Sequence, residues 1–338
     1  MATHALPPAA RVLVITMFDS TPEEATGEAH RWIAREHLHA EPPLAGLASE
    51  YPHPWADRER GLWLLTTGMG EANAAAGVSA FVLGGSVDLR NAYVLIAGIA
   101  GIDPRAGTLG SAVWTDHVVH GGYAHEIDAR EMPGHWPYGY VPLGAEAPGK
   151  PPAFRIEGDV FALDPALVRA AAALTAAVPL ADSPRAARLR AGYGGPGGRP
   201  PAVSTGASLT QSVFWSGRHL NARARAWVDA FTGGRGRYTT TQMEDNATLT
   251  ALHRAAAAGL LDFERVAVLR TGANFDQARP GDDPHRAMLE DAGWPVAAEN
   301  AYRVGAHLVH RILEDWDAWS RGVPELESEP CGKEGGVR

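Results

Sequence analysis

The stretch Ala92–Ser111, AYVLIAGIAGIDPRAGTLGS, constrains this chain more than any other. Tyr93, Val94, Leu95 and Ile96 form a short apolar run, the pattern of a strand buried on both faces of a parallel sheet. The run ends in Ala97-Gly98-Ile99-Ala100-Gly101, where glycine permits a sharp bend and the close approach of another group. Gly107 and Gly110 follow, and a new apolar run begins at Ala112. Ligands of open α/β sheets gather where strands end in glycine-rich turns. The spacing alone fits such a site and a tight strand crossing equally.

A chain of 338 residues suits one large α/β unit with insertions, or two domains. We expect a flexible start over 1–10, a single domain over 11–321 and a disordered tail over 322–338. Thirty basic residues against 39 acidic ones give a net charge of −9, without a basic cluster. That opposes nucleic acid as the main partner. The single cysteine, Cys331, excludes an intrachain disulfide and fits a reducing, cytoplasmic setting. Met1–Ala10 lacks the apolar core of a signal peptide, and no apolar run reaches the ~18 residues of a membrane span.

In chain order, Arg11–Met17 reads as a first buried strand. Asp19, Ser20 and Thr21 offer capping oxygens, and Pro22 suits the first turn of a helix expected from Pro22 to about His39. Glu23, Glu24 and Glu28 fall in its early turns. They complement the helix dipole, or one of them activates a water at the strand-to-helix turn. Leu62–Thr67 is a strand ending in Thr66-Thr67-Gly68-Met69-Gly70, and a helix over Glu71–Leu83 follows. Strand, glycine turn and helix start make a polar-ligand site, although a lone GxG is weak.

His117, His120 and His125 invite a metal reading, but residues three apart on a strand face opposite ways and no cysteine helps. Asp164-Pro165 starts an Ala-rich helix to Ala177. The Gly/Pro/Arg-rich stretch 182–201 reads as a mobile surface insertion. Ala202–Gly206 is a short strand, and Thr210–Phe231 contains a helix. Met243-Glu244 then opens a helix over Asn246–Gly259, Phe263–Leu269 is a strand ending in RTGANFD, and Ala297–Ser320 is a long amphipathic helix. A Met-Glu pair at such a junction can set an apolar surface and a carboxylate against a sugar, or the acid simply caps the helix. Four turns, around Gly68, Gly98, Glu244 and Asn274, thus follow strands and suit a cleft for a small polar ligand. There is no GxxxxGK[ST] and no GxSxG, and GMGEAN does not satisfy GxGxxG.

At these stations the chain resembles a known family. RVLVITMF, TTGMGEANAAAGVSAFVL, YVLIAGIAGIDPRAGTLGS, YAHEIDAREMPGHWPYGY, TTTQMEDNATLTAL and LRTGANFD are similar, in order over about residues 10–320, to the purine nucleoside permease family. More distantly, TTGMG, AGIAG and QMED resemble the nucleoside phosphorylase superfamily, which includes the methylthioadenosine/adenosylhomocysteine nucleosidases. The resemblance implies a three-layer α/β/α fold with a central mixed, partly barrel-like sheet, and a purine nucleoside as ligand. No cofactor or metal is expected, and the resemblance implies a homodimer or larger assembly. Carried over by motif, Met243 packs beneath the ribose, Glu244 accepts its hydroxyls, Gly98 and Ala100 line the base, Gly68 belongs to the site, and Phe214 stacks. The station of a catalytic aspartate falls on Asn274, which can hydrogen-bond a leaving base but not protonate it; either Asp276 serves instead, or Asn274 reads an oxopurine edge.

Cleaving an N-glycosidic bond requires stabilising a cationic sugar, helping the base depart and supplying a nucleophile. A phosphorylase must hold a dianion, usually with arginines. Ile96-Ala97 stand where superfamily phosphorylases carry a phosphate-holding arginine before the glycines. The expectation is therefore hydrolysis, with Glu23, Glu24 or Asp19 activating water. Phosphorolysis through Arg130 or Arg270 is the alternative, and a nucleoside-binding protein supporting transport is the non-enzymatic reading.

Overall fold

A computed structural model describes residues 7–20, 27–289 and 292–325. The elements are β1 (Val12–Thr16), α1 (Ala29–Arg35), β2 (His39–Ala40), β3 (Trp55–Asp57), β4 (Leu62–Thr66), α2 (Glu71–Leu83), β5 (Tyr93–Ile102), β6 (Ala112–His120), β7 (Ala124–Glu126), β8 (Tyr140–Pro142) and β9 (Val160–Ala162). They continue with α3 (Pro165–Thr175), α4 (Pro184–Arg190), β10 (Val203–Thr210), α5 (Arg218–Thr232), β11 (Tyr238–Gln242), α6 (Asp245–Ala257), β12 (Val266–Phe275), α7 (Pro284–Met288), α8 (Trp294–Glu314) and α9 (Trp316–Trp319).

Ten strands form one mixed sheet in the order β11-β10-β6-β12-β5-β1-β4-β3-β2, with β9 beside β6. The continuously apolar strands lie at its centre. Every residue of β1 and β4 is buried, and β5 pairs in parallel with both β1 and β12. The far edge curls back, because Thr240 and Thr241 of β11 also pair antiparallel with Ile102 and Gly101 of β5. This closes β5, β12, β6, β10 and β11 into a ring, the barrel-like sheet expected. Gly101 makes the closure possible: a Cβ there would lie 3.0 Å from Thr241 Cγ2 and 3.3 Å from Asn274 Nδ2. Register shifts between Gly272 and Asn274, and between Gly206 and Ser208, supply the bend.

The helices bury their apolar faces against this sheet. α8 covers β12 and β5, with α3 alongside it, and α2 packs against α6. The main core gathers Trp32, Trp114, Tyr93, Phe81 and the strand aliphatics, each at most a few per cent exposed.

Three sequence expectations are corrected. β5 does not end at Ile96 but runs through Gly98 and Gly101 to Ile102, because β12 and β11 pair with its glycine half. The first described helix is α1, Ala29–Arg35, which stops short of His39; the expected start at Pro22 lies outside the described residues. Stretch 182–201 is anchored rather than a loose excursion. Ser183 caps α4, Ala186 is fully buried, Thr108 Oγ1 donates to Gly197 O at 2.7 Å, and Tyr193 Oη donates to Gln277 O at 2.8 Å.

Candidate active site

The strand ends converge on a buried charged cluster. Its centre is Arg270 of β12, 1% exposed. The Arg270 guanidinium donates to both oxygens of Asp245, with its Nε 3.2 Å from each. It also donates to Ile99 O at 3.1 Å and lies 3.5 Å from Glu244 Oε2. Asp245 and Glu244 hold it cationic, with its pKa raised further despite burial.

Local sequence explains how two adjacent acids reach it. The Gln242 side-chain Oε1 accepts the N–H groups of Glu244 and Asp245, at 2.8 and 2.9 Å, turning the strand into α6. Glu244 itself makes no side-chain capping bond. The capping role considered for Glu244 therefore falls to Gln242, and the Glu244 carboxylate is free to accept Gly70 N at 3.0 Å. That contact ties the TTGMG turn, with Gly68 at φ 86° and Gly70 at φ 90°, to the QMED turn. Burial raises the Glu244 pKa, Arg270 opposing the shift.

The third acid is Glu28. The chain returns after the first strand so that Glu28 N donates to Phe18 O at 3.2 Å. Its carboxylate then lies against two strand ends at once, accepting Met17 N at Oε2 and Ile99 N at Oε1, both at 2.8 Å. It is 3% exposed. Burial, the largest influence, raises its pKa from 4.5 to about 7, with Arg270 and the two amides pulling the other way. A carboxyl with this pKa, each oxygen still carrying a free lone pair, is matched to taking a proton from water near neutral pH.

Gly98 explains the density of the cluster. A Cβ there would stand 2.1 Å from Met17 Cε, 2.5 Å from Glu28 Oε1 and 2.6 Å from Arg270 Nη1. The close approach anticipated from the glycines is thus made by the chain's own Met17, Glu28 and Arg270 side chains.

The structure separates the remaining candidates. Met243 is half-buried beside Glu244, and Ala100 is 5% exposed two residues beyond Gly98 on β5. Phe214 is 59% exposed in the loop after β10, open to a stacking partner. Asn274 lies opposite Gly101 on β12, with its Nδ2 donating to Phe275 O at 3.2 Å. Asp276 is a correction. It is fully buried, and its oxygens accept Tyr238 Oη at 2.6 Å and Asn221 Nδ2 at 3.0 and 2.9 Å, so it braces β12 against β11 and α5. Burial raises its pKa to about 7. Asp19 is another correction, since its Oδ1 accepts Ser20 N and His30 N and so caps α1. Glu23 and Glu24 lie outside the described residues.

The arginines offered for phosphate are committed elsewhere. Arg270 is neutralised by Asp245 and Glu244, and Arg130 forms a surface pair with Asp128 at 2.7 Å. His117 bonds Asp116 and His120 bonds Glu71, and the described residues hold no group of three or more metal-type ligands. From sequence, Glu28 stands undistinguished among the helix-start acids, with Glu23, Glu24 or Asp19 preferred for water, and Asp245 is not singled out. The signal for both was a lone arginine inside an apolar strand, which requires buried carboxylates nearby.

The purine nucleoside permease family matches residues 9–324. A probable purine nucleoside permease of Schizosaccharomyces pombe is 30% identical over 323 residues, 92% of this chain and 91% of that protein. A purine nucleoside permease of Candida albicans is 29% identical over 281 residues, 81% of this chain and 69% of its own length. Among solved structures, the S-adenosylhomocysteine nucleosidase of Streptococcus pyogenes superposes with a TM-score of 0.54 at 15% identity, covering 91% of this chain and 99% of that one. The methylthioadenosine/S-adenosylhomocysteine nucleosidase of Neisseria meningitidis gives 0.52 at 17% identity over 90% and 99%. At such identity these likenesses establish the nucleosidase-type α/β fold. No helix among the described residues is long and apolar enough to cross a membrane. With nearly the whole chain matched and a relative at 30% identity over most of both lengths, this protein belongs to the purine nucleoside permease family.

Proposed function

We propose that this protein cleaves the N-glycosidic bond of a purine nucleoside with water, releasing base and ribose. The observation that carries the reading is the buried trio of Glu28, Glu244 and Asp245 around one arginine. Its carboxylates outnumber its cation, so the cluster favours positive charge developing on a sugar and disfavours a phosphate dianion. In this scheme Glu244 accepts the ribose hydroxyls above Met243. Glu28 takes the proton of a water attacking the anomeric carbon, the bond from that carbon to the purine nitrogen breaks, and its electron pair leaves with the base. Asn274 hydrogen-bonds the base, which draws its proton from solvent, and Phe214 stacks on the ring. Asp245 holds Arg270, which positions the two other acids.

The solved nucleosidases that share the fold are recorded with nucleoside analogues and adenine, which supports a nucleoside ligand. The family and relative names favour a second reading, a nucleoside-binding protein that supports uptake without turnover. Incubating the purified protein with purine nucleosides and separating the products distinguishes them. Release of free base, lost in Glu244→Ala, supports cleavage. Tight binding with the nucleoside recovered intact overturns it in favour of the transport reading.

A further inference from the structure

A second concave region has the opposite charge. The chain beyond the ends of β5 and β12, together with the start of α5, surrounds a cavity of about 920 Å³. Glu28, Glu244 and Arg270 take no part in its lining. Its charged walls are Arg105, Arg218 and Arg279 against the single acid Asp282. Arg279 pairs with Asp282 at 2.6 Å, while Arg105 and Arg218 are exposed and have no salt-bridge partner among the described residues. In a chain of net charge −9 this is a local excess of positive charge, and concave walls of one sign concentrate counter-ions.

Two further features point the same way. Ser216 lines the cavity, and its Oγ, itself buried, has no hydrogen-bond partner among the described residues. A buried hydroxyl without an acceptor calls for one from outside the chain. It adjoins the 15-residue helix α5, whose N-cap Gly217 at φ 139° provides no side-chain acceptor for the first-turn amides. Those amides and the helix dipole favour an anion. Beside them the Tyr193 ring is fixed, tilted on Phe275 at a centroid distance of 3.9 Å and anchored through its hydroxyl to Gln277 O. The cavity is far larger than an oxyanion needs and falls in the range of about 300–1,000 Å³ typical of small-molecule sites.

We infer that this cavity binds a phosphate-bearing small molecule of the nucleoside-monophosphate kind. The phosphate sits among Arg105, Arg218, Ser216 Oγ and the start of α5, and the organic part lies against Tyr193. The site is separate from the carboxylate cluster, so the inference does not depend on the cleavage chemistry proposed there.

Calorimetric titration with inorganic phosphate and with adenosine 5′-monophosphate tests it, with sodium chloride of equal ionic strength and adenosine as controls. Both phosphate ligands are expected to bind, the nucleotide more tightly. The double variant Arg105→Ala/Arg218→Ala, changed only at exposed side chains, is expected to weaken both by about tenfold or more. Glu244→Ala, which removes the acceptor proposed for the ribose, is expected to leave both unchanged, which distinguishes this site from the cleavage site. Absence of phosphate binding, binding untouched by the double variant, or binding lost in Glu244→Ala overturns the inference. If the nucleotide binds no tighter than the free anion, the assignment of the organic part to Tyr193 is overturned. A double variant that changes oligomeric mass while phosphate fails to bind the parent protein shows a subunit contact and overturns it also.

Discussion

Replacing Glu28 by glutamine changes the site at its proposed base while leaving its shape. The native carboxyl has a pKa of about 7 against 4.5 in the unfolded chain. At about pH 8 its ionisation therefore costs the fold about 3 kcal/mol. Glutamine removes that cost but offers one acceptor oxygen, so either Met17 N or Ile99 N loses its partner. An unpaired buried donor costs about 1–3 kcal/mol. The two effects nearly cancel, and the variant is expected to fold. Because the folded pKa lies above the unfolded one, the native state keeps its proton longer, and native stability declines as pH rises from 4.5 through 7. The variant should accordingly gain on the parent by about 2 kcal/mol between about pH 5.5 and 8. Turnover should behave differently. Loss of a general base lowers kcat by about 10²–10⁴-fold, or about 3–5 kcal/mol in the barrier. Urea melts at the two pH values and initial rates of base release measure both quantities. Parent activity should rise with pH through about 7 as Glu28 ionises. A folded variant that keeps most of its turnover, or parent activity that falls across that interval, refutes the assignment of Glu28 as base.

Three further substitutions probe the support around it. Asp245→Asn leaves the buried Arg270 without its main partner and should destabilise the protein by about 3–5 kcal/mol in chemical denaturation; a change under about 1 kcal/mol would show that Glu244 suffices. Gly98→Ala forces a methyl against Met17, Glu28 and Arg270, so a loss of about 1–3 kcal/mol is expected together with a fall in kcat; full activity would mean that the cluster has slack. Asp276 has a folded pKa of about 7 against 3.8 unfolded, so native stability should be present below pH 3.8 and decline up to about 7. Asp276→Asn should flatten that part of a melting-temperature profile without shifting the pH dependence of turnover, and a shifted activity profile would return Asp276 to the chemistry.

Much of the fold was legible because its signals are local. Continuous apolar runs marked β1, β4 and the first half of β5. Asp164 before Pro165 marked the start of α3, where its carboxylate accepts Leu167 N at 2.7 Å. The rest depended on pairing. Glycines at 98 and 101 read as a turn because nothing local shows that β12 and β11 will hydrogen-bond to that segment. Stretch 182–201 read as loose because its composition does not disclose the anchors at Thr108 and Gln277. Glu244 and Arg270, singled out by strand-end position and motif, meet in the buried cluster. Glu28 was not distinguished from Glu23 and Glu24, because its position against two strand ends is created by the chain returning to Phe18, a tertiary event. Asp19 and Asp276 illustrate the converse. Each is a carboxylate at a strand end, yet one caps a helix and the other braces a strand, distinctions set by which donors lie within reach.

The central claim, that the carboxylate cluster directs cleavage by water, is tested most directly by the phosphate dependence of the products. With purine nucleoside and phosphate-free buffer, the protein should release base and free ribose in equal amounts, and added phosphate should not divert the sugar. Ribose 1-phosphate as the product, with turnover that requires phosphate, would contradict the account.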